Sequence, residues 1–375
     1  MTLTKIKREF VRLMEEGRVG EPYAKNFMGC LMSIIIEHEP ISQERMMELT
    51  GYSQATVSLV LQKLQILMPI RTTRKIGDRK HYYSYDGPPE RFVLDLWQKR
   101  LDAQAIDIRQ IESSIEGMSR KTDRDAASER FYDYLKNLQL YLKLVYDLRN
   151  TGIAKFERVL GTDSYESQSM KSLEKGVLAK FLKRLRQTSA ESDSNRKLKG
   201  KALKNYLHSK NEYYSGLKTN LNPLYSQTVA NQMIVVHDVF VEGCTSQEEL
   251  EKSTLLPRST ISDVLAVSVK IGIIRVTKKQ GSRIKLYQPV ISFTDLMLGN
   301  YDLVARHISE VMPRLSKYTM MVKRTRTKSK EAKKFLEILK NLERAYAFTR
   351  DYSNAMKVEM VKRLKEEYDR GFVFI

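Results

Sequence analysis

The chain has 375 residues, enough for two or more domains with cores of their own, and Lys plus Arg outnumber Asp plus Glu by 65 to 45, a net charge of +20. Its two cysteines exclude a disulfide-stapled scaffold, and its longest apolar run, around Leu31 to Ile36, is far short of the roughly 20 residues that a membrane helix needs. The cationic excess points to polyanionic partners, and the lack of an apolar leader after Met1 predicts a cytoplasmic protein with no membrane attachment.

Residues 3–16 are expected to form an amphipathic helix with Leu3, Ile6, Phe10, Leu13 and Met14 on one face, stopped by Gly17. A second helix, 27–36, leads to Ser42, where a short helix carrying Met46, Met47 and Leu49 is broken by Gly51. Ser53 then suits the N-cap of another helix. Along it Val57, Val60 or Leu61, Leu64 and Leu67 recur at helical spacing, while Gln54, Thr56, Ser58, Gln62 and Lys63 face away. After Pro69, residues 70–76 and 79–85 are β-prone runs joined at Gly77-Asp78, a pair suited to a tight hairpin turn. A long helix follows Pro88-Pro89 to about Met118, with Leu94, Trp97, Leu101, Ile108, Ile111, Ile115 and Met118 in a coiled-coil-like seam. The next helix carries Phe131, Leu135, Leu138, Leu142 and Val145, and 169–186 reads as a basic amphipathic helix. The polar, turn-rich stretch 188–200 is the expected linker.

The remainder repeats the first half. Ser42-Gln43-Glu44 falls on Ser246-Gln247-Glu248, Thr56 and Ser58 on Thr260 and Ser262, and Gly77, Arg79 and Tyr83 on Gly281, Arg283 and Tyr287. One shift, 204 positions, serves them all, and it also carries Lys136-Asn137-Leu138 onto Lys340-Asn341-Leu342. A spacing that long marks a duplicated domain, not a solenoid repeat. The expectation is therefore a mainly α protein with one domain in residues 1–187 and its copy in 201–375.

Short hydrogen-bonding residues at the start of a helix docked by its opposite face suit a major groove, where donors and acceptors must reach base edges without steric bulk. On the first such helix these are Ser53, Gln54, Thr56, Ser58, Gln62 and Lys63; on the second, Arg258, Ser259, Thr260 and Ser262. Cations on a protruding hairpin suit phosphates or a narrow minor groove. The first hairpin offers Arg74, Lys75, Arg79 and Lys80, and the second Lys278, Lys279, Arg283 and Lys285. The two helices are not chemically alike. Where the first has Ser53, Gln54, Leu59, Gln62 and Lys63, the second has Pro257, Arg258, Asp263, Ala266 and Val267.

Helix, turn, helix and a basic hairpin, with the pattern TxSxxLxxLxxLxxI…GxRxxYY carried by Thr56, Ser58, Leu61, Leu64, Leu67, Ile70, Gly77, Arg79, Tyr82 and Tyr83, resembles the winged helix-turn-helix of MarR-type transcription regulators, particularly the GbsR-like branch. The second copy matches more loosely, through Thr260, Ser262, Leu265, Ile271, Ile274, Gly281, Arg283 and Tyr287. Family members are usually short homodimers, so the resemblance implies a dimer fused into one chain. The implied architecture is two tandem winged helix-turn-helix domains with long dimerisation-type helical arms, a single-chain pseudo-dimer that leaves further self-association open. The implied function is a sequence-specific regulator binding double-stranded DNA, with recognition helices in the major groove and basic wings on backbone or minor groove. The resemblance also implies a small apolar or cationic effector between arms and winged domain, near Tyr82, Tyr83, Phe92 and Trp97. A plasmid-type replication initiator with tandem winged helices is the alternative, and an architectural or chromosome-organising winged-helix protein is a further one.

Enzymatic readings fail. The chain has no GxxxxGK[ST] loop, no GxGxxG after a strand, no HExxH and no GxSxG elbow. His38, His81, His208, His237 and His307 show no ligand spacing with cysteines or carboxylates. Neither catalysis, a metal nor a cofactor is expected.

Overall fold

The computed structural model describes residues 2–16, 25–37, 39–88, 91–119, 126–160, 200–221, 227–278, 281, 283–325, 329–370, 372 and 374. The protein is mainly helical, with two small antiparallel sheets among the described residues. The expected helix 169–186 and most of the expected linker 188–200 lie outside the described residues; Gly200 already opens a helix.

In chain order the first half contains α1 (Leu3–Glu16), α2 (Lys25–Ile35), β1 (Ile41–Ser42), α3 (Gln43–Thr50), α4 (Gln54–Leu67), β2 (Ile70–Arg74), β3 (His81–Tyr85), α5 (Arg91–Ser119) and α6 (Ala126–Leu160). The second half repeats that order as α7 (Gly200–Leu221), α8 (Gln227–Glu242), β4 (Thr245–Ser246), α9 (Gln247–Thr254), α10 (Arg258–Lys270), β5 (Ile274–Lys278), β6 (Lys285–Pro289), α11 (Phe293–Arg324) and α12 (Lys330–Asp369). The strand registers obey the 204-position shift as well. Tyr83 lies between Ile41 and Thr72, and Tyr287 lies between Thr245 and Val276. Each three-stranded sheet has its hairpin's second strand in the middle.

Local chemistry explains the breaks. Ser42 and Ser53 cap α3 and α4 by accepting from the backbone N–H of Arg45 and Thr56, which satisfies donors a helix start leaves unpaired. Ser246 caps α9 in a reciprocal capping box with Glu249. Gly51 ends α3 at φ 78°, a left-handed conformation that suits glycine. Its equivalent after α9 is Leu255, held at φ 55° with its side chain 68 % exposed. A left-handed L-residue costs ~1–2 kcal/mol, and an exposed leucine recovers little of this by burial. Leu255→Gly is therefore expected to raise unfolding stability by roughly 0.5–1 kcal/mol after the extra freedom of glycine in the unfolded chain is set against the gain. Denaturant titration of the full chain checks it, and a destabilised variant would refute it.

The compact units do not follow the expected domains 1–187 and 201–375. The first consists of Met1–Leu101, Arg149–Met170 and Tyr301–Met356, and the second of Asp102–Leu148, Lys171–Asn300 and Lys357–Ile375. The cause lies in the long helices, whose apolar faces serve segments of both sequence halves. In the first unit Phe10 of α1 packs edge-on against Tyr318 and Phe335, at 5.8 and 5.7 Å. In the second unit α6, a first-half helix, lays Phe131, Tyr134, Leu135 and Leu138 into a core shared with Tyr213 and Tyr214 of α7 and Ile234, Val235 and Val239 of α8. Each such fully buried aromatic or aliphatic side chain is worth about 1.5–3 kcal/mol.

Both units bury a lysine. Lys7 donates to Glu37 at 2.9 Å and to Glu331 at 2.7 Å in the first. In the second, Lys210 is completely buried on α7 against Asp238 and Glu242 of α8, the latter at 2.6 Å. Tyr206 donates to Glu242 at 2.6 Å, Tyr214 donates to Asp238 at 2.8 Å, and the Ser253 hydroxyl of α9 also donates to Asp238. Cys30 is buried, with its thiol pushed up to about 12 by burial and, secondarily, by Glu15. Cys244 is only half-buried, less than its apolar sequence neighbours suggest. No helix among the described residues is long and apolar enough to cross a membrane.

Candidate nucleic-acid interface

Helix α4 docks through Val57, Val60, Leu61, Leu64 and Leu67, all buried. That stripe fixes which residues remain outside. Gln54, Gln62 and Lys63 are exposed and make no hydrogen bond or ion pair among the described residues. Gln65 is occupied, donating to Thr72 of β2 at 2.9 Å. Ser53 and Thr56 are partly occupied too, because the Ser53 side chain caps the helix and lies 3.0 Å from the Thr56 hydroxyl. Thr56 and Ser58 are half-buried, less available than their sequence position suggests. Leu59 and Ile66, by contrast, stand out at 59 % and 74 % exposure. The buried stripe could have identified them, since positions 55, 59, 62 and 66 lie opposite it on a helical wheel.

The hairpin turns at Gly77, φ 80°, as expected from Gly77-Asp78. Asp78 holds the turn, accepting from the Lys80 backbone N–H at 2.8 Å and the Tyr82 hydroxyl at 2.7 Å. These bonds, the tyrosine's first, keep its carboxyl below the ordinary aspartate value. The cations of this hairpin differ in what holds them. Lys80 pairs with Glu44 at 3.2 Å, Arg74 meets His81 at 3.0 Å, and Lys75 sits 4.4 Å over the Tyr82 ring. Arg79 is exposed and has no partner among the described residues.

In the second half, α10 buries Ile261, Val264, Leu265 and Ser268. Pro257 stands at its N-cap and gives no side-chain cap bond. Arg258, Ser259, Ser262 and Asp263 are exposed, and Thr260 is half-buried. Arg258 is drawn to Glu251 at 3.7 Å, while Asp263 has no partner among the described residues. Arg283, the equivalent of Arg79, is again exposed and unpartnered among the described residues. Lys278 and Lys285 lie directly opposite each other on β5 and β6, and neither has an acidic partner among the described residues. Like charges in that register destabilise a hairpin unless an anion lies between or beside them. Lys279 falls outside the described residues.

The aromatic residues assigned to an effector fill other roles. Tyr83 and Phe92 are buried, Tyr82 serves the hairpin turn, and Trp97 packs against Phe156, Phe348 and Tyr352 at 5.7–6.5 Å. None of the four lines the cleft of about 260 Å³ in the first unit, which is bounded by Glu37, Glu39, Tyr85, Lys334, Glu337 and Asn341 among others. Among the described residues, no group of three or more His, Cys, Asp or Glu is placed to hold a metal ion. Comparison with protein-family models and with curated protein sequences gives no match.

Proposed function

We propose that the chain is a cytoplasmic, sequence-specific transcription regulator that binds double-stranded DNA as a single-chain pseudo-dimer of two winged helix-turn-helix halves. In this reading α4 and α10 enter the major groove, and the β2–β3 and β5–β6 hairpins are wings on backbone or minor groove. One observation carries it: hydrogen-bonding side chains without partners among the described residues stand on an exposed helix in the same half as a hairpin arginine that also lacks one, Gln54 and Gln62 with Arg79, and the hairpin arginine recurs 204 positions on as Arg283. A protein surface that leaves such groups unpaired, and that sets Lys278 against Lys285, is made for a polyanion. The fused-dimer part is supported by the long helices of each half entering both compact units.

Arg79→Ala/Arg283→Ala tests it. Binding to every duplex is expected to weaken, and the slope of log K against log salt concentration to fall by about two, one per lost phosphate contact. Both residues are exposed and unpaired among the described residues, so thermal unfolding should be unchanged. A salt slope identical to that of the wild type would reject the wing assignment.

A further inference from the structure

The outermost line of α4 is not the polar one. Its buried stripe places Ala55, Leu59, Gln62 and Ile66 farthest from the core, and two of these are aliphatic side chains more than half exposed. Thr56 and Ser58, two of the residues expected to read bases, sit on the flanks and are half-buried, with Thr56 bound to the cap. A duplex offers one apolar group in the major groove, the C5 methyl of thymine, and an adenine beside it offers the donor and acceptor that a glutamine amide matches. Gln62, three residues from Leu59 and so its neighbour on the helix surface, has its amide unpaired among the described residues.

We infer that Leu59 selects a thymine methyl, with Gln62 on an adenine next to it, so that the first half-site is chosen by an A·T step. This rests on the duplex-DNA reading above, and charge complementarity favours a duplex over an apolar protein partner: Lys63 follows Gln62 on the same helix, the hairpin carries Lys75 and Arg79, and the whole chain is +20. The equivalent of Leu59 on α10 is Asp263, exposed and unpartnered among the described residues. A carboxylate there has nothing to gain from a methyl group and accepts from the amino group of cytosine. One position in the repeat thus demands thymine in one half-site and cytosine in the other, which makes the target asymmetric.

The test uses the full chain. Preferred duplexes are selected from a random library, and each thymine is then replaced in turn by uracil, which removes only the methyl group. One thymine is expected at which uracil weakens binding about four-fold, the worth of one buried methyl-sized group. Leu59→Ala should bind the thymine duplex about as weakly as the wild type binds the uracil one, and should no longer distinguish the two. Asp263→Ala should relax selection for cytosine at the other half-site and leave the uracil effect intact. If the chain binds selected duplexes with a steep salt slope but no thymine is sensitive, or the sensitivity survives in Leu59→Ala, the inference is overturned and the DNA reading stands. If no duplex is enriched or bound, the DNA reading falls and takes this inference with it.

Discussion

Lys210→Ala is expected to destabilise the protein by about 3–5 kcal/mol, read as a fall in the denaturant midpoint by far-ultraviolet circular dichroism. Removing one member of a buried ion pair leaves the other as an uncompensated charge in a low-dielectric interior, which is why the loss exceeds that of an ordinary core truncation. Burial by itself would drive the Lys210 pKa down, but the Asp238 carboxylate beside it, helped by Tyr206 and Glu242, more than reverses this, and the ammonium is held above the usual lysine value. Burial likewise pushes Glu242 up, and Lys210 pulls it below the ordinary glutamate value. Without the ammonium, Asp238 keeps only the Tyr214 and Ser253 hydroxyls as donors among the described residues. Lys210→Met/Asp238→Asn removes the ammonium and the more deeply buried carboxylate, keeps an oxygen for those hydroxyls, leaves Glu242 with its Tyr206 donor, and should recover at least half of the loss. A Lys210→Ala loss below about 1 kcal/mol would show that the ammonium is hydrated and the network incidental.

That lysine shows what could and could not be read in advance. Residues that act locally were legible: α1 falls on the expected 3–16, α4 buries all of the expected stripe, Ser53 caps it, and the first hairpin turns at Gly77. Each of these depends on a spacing or a turn preference within a dozen residues. By composition Lys210 is one of the chain's 65 basic residues, yet it sits four positions after Tyr206 and three and four before Tyr213 and Tyr214, in the middle of a buried stripe. The periodicity marks the position as interior; the reason it tolerates a charge, Asp238 and Glu242, lies on another helix. The same distinction explains the compact units. A seam such as Leu94, Leu101, Ile108 and Ile111 announces that a long helix has an apolar face, but not which partner covers it, and the partners come from both halves of the chain. The two-residue strands β1 and β4 are too short to carry any alternation of their own. On α4 the expectation weighted hydrogen-bonding residue types over angular position, which is how Thr56 and Ser58 were preferred to Leu59.

Acidification should destabilise the second unit through His237. The imidazole is buried on α8, edge-on to Tyr134 of α6 at 5.8 Å and to Phe293 of α11 at 6.2 Å, and its Nδ1 has no hydrogen-bond partner among the described residues. Burial lowers its pKa from 6.5 to about 4, because nothing in that aromatic cage replaces the water that would solvate the cation. The folded chain therefore binds this proton less tightly than the unfolded chain does. Above pH 6.5 both states hold neutral histidine and the contribution is fully present; as pH falls below 6.5 the unfolded state gains protons first, and stability is lost until about pH 4. The difference between the two pKa values corresponds to roughly 3 kcal/mol at full extent. Glu242, whose pKa is lowered, adds its own loss only below the ordinary glutamate value of 4.5; burial raises the Asp238 carboxyl, which therefore gains stability as pH falls, so the histidine is isolated by comparison with a variant that keeps both carboxylates. His237→Phe keeps a flat ring of similar size against Tyr134 and Phe293 and has no proton to gain. Between pH 7 and 5 the unfolding free energy of the wild type should fall by about 2 kcal/mol relative to that of the variant. Parallel pH profiles for the two proteins would mean that the imidazole is solvated in the fold and does not titrate as a buried group.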